Sequence, residues 1–236
     1  MQGLIVAAGQ GSRLRTVAPS KPLASVNGVP LIQHVIEAAR LGGVDRFVVV
    51  TGYRAGPLEQ FLARMAGRLG IPIETVFNAR WELANGLSVT AARGDLEPHF
   101  VLMMSDHLFE PGLLSDLIGS GPVVGGAALA VDRRLSNPLV DLDDVTRVRT
   151  DGAGVISAVG KGLTPYDAFD TGLFLASSAL LDAIEADHVA GGAGSITAGM
   201  NRLAAEGLAR AHDIGERFWL DVDDPTAHAQ AERLTA

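Results

Sequence analysis

Two lysines stand out in a chain that otherwise writes its positive charge as arginine. Of 19 Lys and Arg residues, only Lys21 and Lys161 are lysine. Each lies in a glycine-containing loop, Gly9 to Pro22 and Gly160-Lys161-Gly162. Lysine presents a compact point charge on a flexible stem, whereas arginine presents a rigid fork. A phosphate oxygen whose charge changes during reaction suits the former. No Asp or Glu precedes Glu37, and Arg13, Arg15 and Lys21 all fall before it. A chain of net charge −8 has therefore kept one loop purely cationic. That pattern predicts an anion site, with phosphate as the natural anion.

The glycine loop itself narrows the choice. Gly9-Gln10-Gly11-Ser12-Arg13-Leu14 follows the apolar run Leu4 to Ala8. It begins like a dinucleotide fingerprint, but Leu14 stands where a third glycine belongs. The second strand ends in Thr51-Gly52, with no acid for a ribose hydroxyl. No Gly-Lys-Ser/Thr follows, so it is not a Walker A loop either. What is left is a loop with free backbone N–H groups beside Arg13, able to wrap an anion.

The acids complete the chemistry. Asp106 closes the buried run Phe100 to Met104, and open α/β sheets bind ligands at such strand ends. Asp221 and Asp223 lie far away in sequence, and an extended segment would point both the same way. One carboxylate from each region makes a hard-oxygen site that suits Mg²⁺. Asp224 precedes Pro225 and reads as a helix cap. His107 reads as a structural histidine, with ligand and base as the alternatives. Trp219 reads as core.

These groups need a scaffold, and the first half of the chain alternates strand and helix. Leu4 to Ala8, Phe47 to Thr51, Ile71 to Phe77 and Phe100 to Met104 read as strands. Leu31, Ile32, Val35, Ile36 and Ala39 keep helical spacing, as do Leu58, Phe61, Leu62, Met65 and Leu69. Pro111 opens a short helix to Ile118. This order predicts a parallel sheet covered on both faces. In the second half, Ala127 to Val131 is a strand. Asp151-Gly152-Ala153-Gly154 marks a hairpin between Thr146 to Thr150 and Val155 to Val159. Asp170 to Ala176 is a further strand. Helices follow around Leu180 to Ile184, from Ser195 as N-cap, and from Asp224-Pro225. Gly191 to Gly194 is expected to be mobile. We read residues 1–236 as one domain, with a nucleotide-type half to about residue 122 and a second half after it that adds strands and shapes the substrate pocket.

Composition excludes other classes. With no cysteine, there is no disulfide scaffold, zinc ribbon or thiol nucleophile. No apolar run reaches the roughly 18 residues of a membrane-spanning helix. The N-terminus lacks a basic region and reads as a strand rather than a signal peptide, so a cytoplasmic protein is expected. Overall acidity argues against nucleic-acid partners. The partners expected are small molecules, and a homodimer is compatible with the sequence.

Taken together, Leu4-Ile5-Val6-Ala7-Ala8-Gly9-x-Gly11-x-Arg13-Leu14 and Lys21-Pro22-Leu23 resemble the signature of the nucleotidyltransferases that activate sugar and alcohol phosphates. Ser20 stands between Pro19 and Lys21, where that signature has Pro directly before Lys. The resemblance continues through Thr51-Gly52-Tyr53, Asn78, Asn85-Gly86-Leu87-Ser88 and Ser105-Asp106-His107. It extends to Val159-Gly160-Lys161, Asp170-Thr171-Gly172 and Phe218 to Pro225. Within the family, Met104-Ser105-Asp106-His107 and Asn137-Pro138 with Asp141 and Thr146 are most similar to inositol-1-phosphate cytidylyltransferases. The resemblance implies a GT-A-like α/β/α sandwich with a mostly parallel central sheet.

It also implies roles. Ala7, Ala8, Gly9, Gly11, Ser12 and Arg13 would bind the nucleotide, with Asn78, Asn85, Gly86 and Ser88 near base and ribose. Arg13 and Lys21 would be catalytic. Lys161 would hold the acceptor phosphate, with Asp132, Asp170 and Gly172 nearby. Asp106, Asp221 and Asp223 would hold Mg²⁺. The nucleotide implied is CTP and the acceptor inositol 1-phosphate. A GT-A glycosyltransferase should instead show Asp-x-Asp after the central strand, where this chain has Asp106-His107-Leu108. A quaternary ammonium acceptor would want an aromatic cage, and only 5% of residues are aromatic.

Overall fold

A computed structural model describes residues 1–15 and 17–235. The first half runs β1 (Gln2–Val6), a small hairpin of β2 (Ser25–Val26) and β3 (Val29–Pro30), then α1 (Leu31–Leu41) and β4 (Arg46–Thr51). It continues through α2 (Ala55–Leu69), β5 (Ile73–Phe77), α3 (Gly86–Ala91), β6 (His99–Met104), β7 (His107–Phe109) and α4 (Pro111–Gly119). The second half comprises β8 (Ala127–Asp132), β9 (Arg147–Thr150), β10 (Ile156–Gly160), β11 (Ala168–Ser177) and α5 (Ser178–Val189). After these come α6 (Ile196–Ala205), β12 (Ala209–Asp213), β13 (Trp219–Asp221) and α7 (Pro225–Leu234).

The main sheet has the order β10-β9-β11-β6-β1-β4-β5, with β8 on the other edge of β11 and β12 beyond it. β6, β1, β4 and β5 are parallel, as the strand–helix alternation predicts. β11 runs antiparallel to β6 and turns the sheet toward the β9–β10 hairpin. Alternation along the strands builds two cores. Leu4, Val48, Val50, Phe100 and Leu102 meet Leu180, Ile184 and Met200 from α5 and α6 on one face. Ile5, Phe47, Val49, Val101 and Met103 meet Val35, Leu62 and Leu114 from α1, α2 and α4 on the other. The result is a three-layer α/β/α sandwich.

A third core positions the chemistry. Leu14, Ala24, Val26, Leu31, Leu108, Leu220, Val222 and Ala231 pack together. They join the glycine loop, the β2–β3 hairpin, β13 and α7. Leu14 is fully buried there, so a leucine rather than a third glycine follows from packing. β13 pairs with β7 in antiparallel register, Asp221 opposite His107. Val222 N–H also donates to the Asp106 carbonyl at 2.9 Å. Two segments more than 100 residues apart in sequence are thus locked side by side.

Several local expectations meet their structural outcome here. The α1 stripe of Leu31, Ile32, Val35, Ile36 and Ala39 is buried as spaced. Ser195 and Asp224 cap α6 and α7 by accepting from Ala198 and Ala227 N–H. The stretch Gly191 to Gly194, expected to be mobile, is a tied turn. Asp187 accepts Gly192 N–H at its carbonyl and Gly194 N–H at its carboxylate.

Candidate active site

A cavity of about 610 Å³ opens where the two halves meet. Its wall includes Arg13 and Lys21 from the glycine loop, Asp106 and His107 after β6, and Asp221 and Asp223 from β13 onward. Asp144, Lys161, Asp170 and Gly172 face them from the second half.

The floor is a chain of alternating charge. Lys21 is only 14% exposed and its ammonium pairs with Asp106. Asp106 in turn accepts from His107 Nδ1 at 2.9 Å, and that nitrogen lies 3.6 Å from Asp221. Burial pushes the Asp106 carboxyl up, but the Lys21 ammonium and the His107 imidazole outweigh it and hold it well below the usual range. Burial would lower the His107 pKa, yet Asp221 and Asp106 raise it to about 9. His107 Nδ1–H is therefore a donor that orients Asp106. Asp221 is pushed up by burial, against the pull of His107. Its Oδ1 is buried without a hydrogen-bond partner among the described residues.

The rim repeats the pattern. The Lys161 ammonium pairs with Asp144, whose other oxygen accepts from Arg13 Nη1 at 2.9 Å. The second Arg13 nitrogen pairs with Asp223. Burial and the neighbouring Asp221 push Asp223 up to about 6. Here the cations are open to water, with Arg13 54% and Lys161 58% exposed.

Two glycines make the geometry possible. Gly11 adopts φ +56°, and a Cβ there would collide with the Lys21 side chain. Gly172 adopts φ +76° at an irregularity in the β11–β8 register, and a Cβ would sit 2.5 Å from His107 Cδ2. The same turn buries Asp170, whose carboxylate accepts Gly172 N–H at 2.7 Å and is pushed up to about 6 by burial. Ser20 is the residue that departs from the resembling signature. Its carbonyl caps the 3₁₀ turn Lys21 to Leu23 by accepting Leu23 N–H. The N–H groups of Gly9, Gln10, Gly11 and Ser12 donate to no protein acceptor among the described residues.

Not every expected site residue reaches the cavity wall. Ala7 and Ala8 are buried beneath the glycine loop, and Gly9, Gly11 and Ser12 lie in that loop beside the cavity. Asn78 and Ser88 are buried and off the cavity wall, Asn78 Nδ2 donating to Ser88 Oγ at 3.0 Å and Asn78 Oδ1 accepting Arg80 N–H at 2.9 Å. Gly86 packs against the backbone of Gly194 and Ser195. Of that cluster only Asn85 lines the cavity, its carbonyl oxygen accepting Ile196 N–H at 3.1 Å. Asp132, expected among the acceptor ligands, is fully buried behind the cavity. It accepts from Arg134, Asn137 and the Trp219 indole, which leaves nothing to offer a ligand. Of the three expected metal carboxylates, Asp106 and Asp221 come together, with His107 as the third group within 4.8 Å. Asp223 is engaged by Arg13 instead. Sequence reasoning missed Asp144, Thr197, Thr226 and Gln230 on the wall. Asp144 lies in the acidic run Asp141-Leu142-Asp143-Asp144, of which the sequence reading singled out only Asp141.

Comparison with known proteins places this cavity in context. The family model described as the MobA-like NTP transferase domain matches residues 3–206. A bifunctional IPC transferase and DIPP synthase of Rubrobacter xylanophilus is 36% identical over 225 residues, 94% of this chain and 49% of that protein. One of the same name from Aquifex aeolicus is 29% identical over 98% of this chain and 50% of that protein. The chain thus spans about half the length of these relatives. Among solved structures, the inositol-1-phosphate CTP transferase from T. maritima superposes with a TM-score of 0.83 at 24% identity. That match covers 99% of this chain and 96% of the other. A UDP-glucose pyrophosphorylase reaches 0.82 at 16% identity, covering 99% and 97%. Both share this α/β/α fold. Glycine loop, fold and family match agree: the chain belongs to the MobA-like NTP transferase domain family.

Proposed function

We propose that this chain transfers CMP from CTP to a polyol phosphate, with inositol 1-phosphate as the preferred acceptor, and releases pyrophosphate. The observation that carries the reading is the placement of the two lysines. Lys21 lies beside the glycine loop and pairs with Asp106, and Lys161 comes to the same cavity from the second half and pairs with Asp144. One phosphate-bearing substrate on each side of one cleft is what a nucleotidyl transfer needs. The named activities of the Rubrobacter and Aquifex relatives, and of the T. maritima structure, favour the inositol acceptor.

In this mechanism an acceptor phosphate oxygen attacks the α-phosphorus of the NTP in line. The bond to the β-phosphate bridging oxygen breaks, and pyrophosphate leaves with that electron pair. No general base is needed, because the attacking phosphate is already an anion. Arg13, Lys21 and the free N–H groups of Gly9 to Ser12 bind and offset the triphosphate charge, and Lys161 orients the acceptor. Such preorganised positive groups supply most of the barrier reduction in transfers of this kind. Asp106 and Asp221 would hold Mg²⁺. The buried Asp221 Oδ1, which makes no hydrogen bond among the described residues, and the carboxylate donor set fit a hard cation. When bound, Mg²⁺ supplies further charge neutralisation between the triphosphate and the acceptor phosphate. His107 holds Asp106 in place.

Asn85 is the base reader in this proposal, because Ile196 N–H occupies its carbonyl oxygen and its NH₂ is left as a donor for a pyrimidine carbonyl. On the acceptor side the wall carries Thr146, Asp170, Thr197 and Gln230, groups that bond hydroxyls. Its aromatic rings are Phe174 and Trp219 alone, too few for a cage around a quaternary ammonium. The test is pyrophosphate release with CTP against UTP, ATP and GTP, each with inositol 1-phosphate, phosphocholine and glucose 1-phosphate. The expected outcome is a clear kcat/KM preference for CTP with inositol 1-phosphate. Preference for UTP with glucose 1-phosphate would overturn the substrate assignment, and no release with any pair would overturn the reaction.

A further inference from the structure

Asp144 is an oddity in an anion site. It is a carboxylate placed between two cations that the proposed reaction assigns to phosphates. Its oxygens accept from Arg13 and Lys161 alone, with no backbone donor among the described residues. Those two contacts depress its pKa to about 2. The loop that carries it does not depend on them. Asp141 builds the turn by accepting Asp144 and Val145 N–H at its carbonyl and Asp143 N–H at its carboxylate. Ion pairs whose cations are more than half exposed add little stability. A bracing role therefore explains neither the residue type nor its position.

We propose that Asp144 is a selectivity residue, an internal stand-in for phosphate that makes free inorganic anions compete for Arg13 and Lys161. An orthophosphate ion entering the ligand-free cleft must displace Asp144 from both cations and then remain beside its negative charge. It gains little. The substrates carry further contacts, the triphosphate on the glycine loop and the acceptor on the hydroxyl-binding wall, which offset that displacement. Asp144 thereby lowers affinity for bare phosphate more than for the substrates. This inference rests on the reading of Arg13 and Lys161 as phosphate ligands.

The experiment is calorimetric titration of the metal-free chain with inorganic phosphate. Asp144→Asn should bind phosphate about fivefold more tightly than wild type at low salt. The gain should fade in about 1 M salt, where screening reaches within a few ångströms. Asp143→Asn removes the same charge from an exposed neighbour and should leave affinity unchanged. Adding Lys161→Ala to Asp144→Asn should abolish the gain. Asp144→Ser provides a second replacement and should behave as Asn does. Unchanged or weaker phosphate binding in both Asp144 variants overturns the proposal, as does an equal gain from Asp143→Asn. A loss of thermal stability without a gain in affinity also overturns it, and makes the residue a brace. Failure of nucleotidyl transfer with every substrate pair would overturn the reaction assignment, yet leave this binding comparison readable.

Discussion

The floor and the rim of the cleft carry the same pattern with their lysines in different solvents. Lys21, Asp106, His107 and Asp221 alternate in sign below, and Lys161, Asp144, Arg13 and Asp223 alternate in sign above. Below, the Lys21 and Asp106 side chains are less than a fifth exposed. Above, both cations face water. Charge interactions of one geometry differ several-fold in strength between such settings. The floor is thus suited to stabilising a transition state and the rim to recognising and admitting anions. The comparison predicts that floor variants lose kcat, whereas rim variants lose affinity in a salt-dependent way.

The largest effect is expected at Asp221. Its Oδ1 is buried without a hydrogen bond among the described residues, 3.6 Å from His107 Nδ1 and close to the Asp106 carboxylate, an arrangement that costs stability until a metal cation arrives. Asp221→Asn should lower kcat by on the order of 10³-fold, while thermal melting of the metal-free chain rises or stays level. Such opposite movement is the signature of a strained functional group. Melting that falls with activity would show that Asp221 is structural and would break the contrast between floor and rim.

Lys21→Ala should follow, with kcat lower by on the order of 10²-fold and a smaller change in KM, because the lost charge acts on the transition state. Lys161→Ala should raise KM for the acceptor about tenfold and leave kcat within about threefold. Raising the salt concentration should shrink the Lys161 effect more than the Lys21 effect. If Lys161→Ala abolishes nucleotide binding and spares the acceptor, the two halves of the cleft have been assigned in reverse.

Much of this was legible in the sequence, for identifiable reasons. The strands of the first half are continuous apolar runs, so β1, β4 and β6 are visible as such, and Leu31 to Ala39 shows its helical stripe directly. The rarity of lysine pointed to Lys21 and Lys161, and both line the cavity. What stayed hidden depends on pairing between distant segments. The antiparallel match of His107 with Asp221 has no local signal, yet it sets which acids meet. Asn78 and Ser88, which the resemblance sets near base and ribose, bond to each other off the cavity wall, and that pairing has no local signal. Asp132 and Asp144 changed places for the same reason: the first is saturated by Arg134, Asn137 and Trp219. The second was one acid among several in a loop until Arg13 and Lys161 reached it.

Asp132 supplies the smallest expected effect on turnover and the sharpest control. Like Asp221 it is a buried carboxylate, but every oxygen is met: Arg134 binds it twice, and Asn137 and the Trp219 indole complete the shell. Burial pushes its pKa up, yet those donors outweigh it and hold the group below the usual carboxylate range. A folded-state pKa below the unfolded one contributes stability that is present above the unfolded value, near 3.9, and is lost as pH falls through the folded value. The wild type should therefore lose melting temperature below about pH 4, and Asp132→Asn should show a shallower acid limb. At neutral pH the variant leaves the Arg134 guanidinium with only the exposed Glu216 carboxylate at 3.6 Å, at a cost of about 3 kcal/mol, the scale for breaking a buried pair. For a chain of this length that is a drop of roughly 6–12 °C. Well below its melting point, the variant should keep kcat within about twofold of wild type, because Asp132 lies behind the cavity wall. A large loss of kcat with melting unchanged would return Asp132 to the acceptor site. It would also show that saturation by protein donors is no guide to which buried carboxylates are structural.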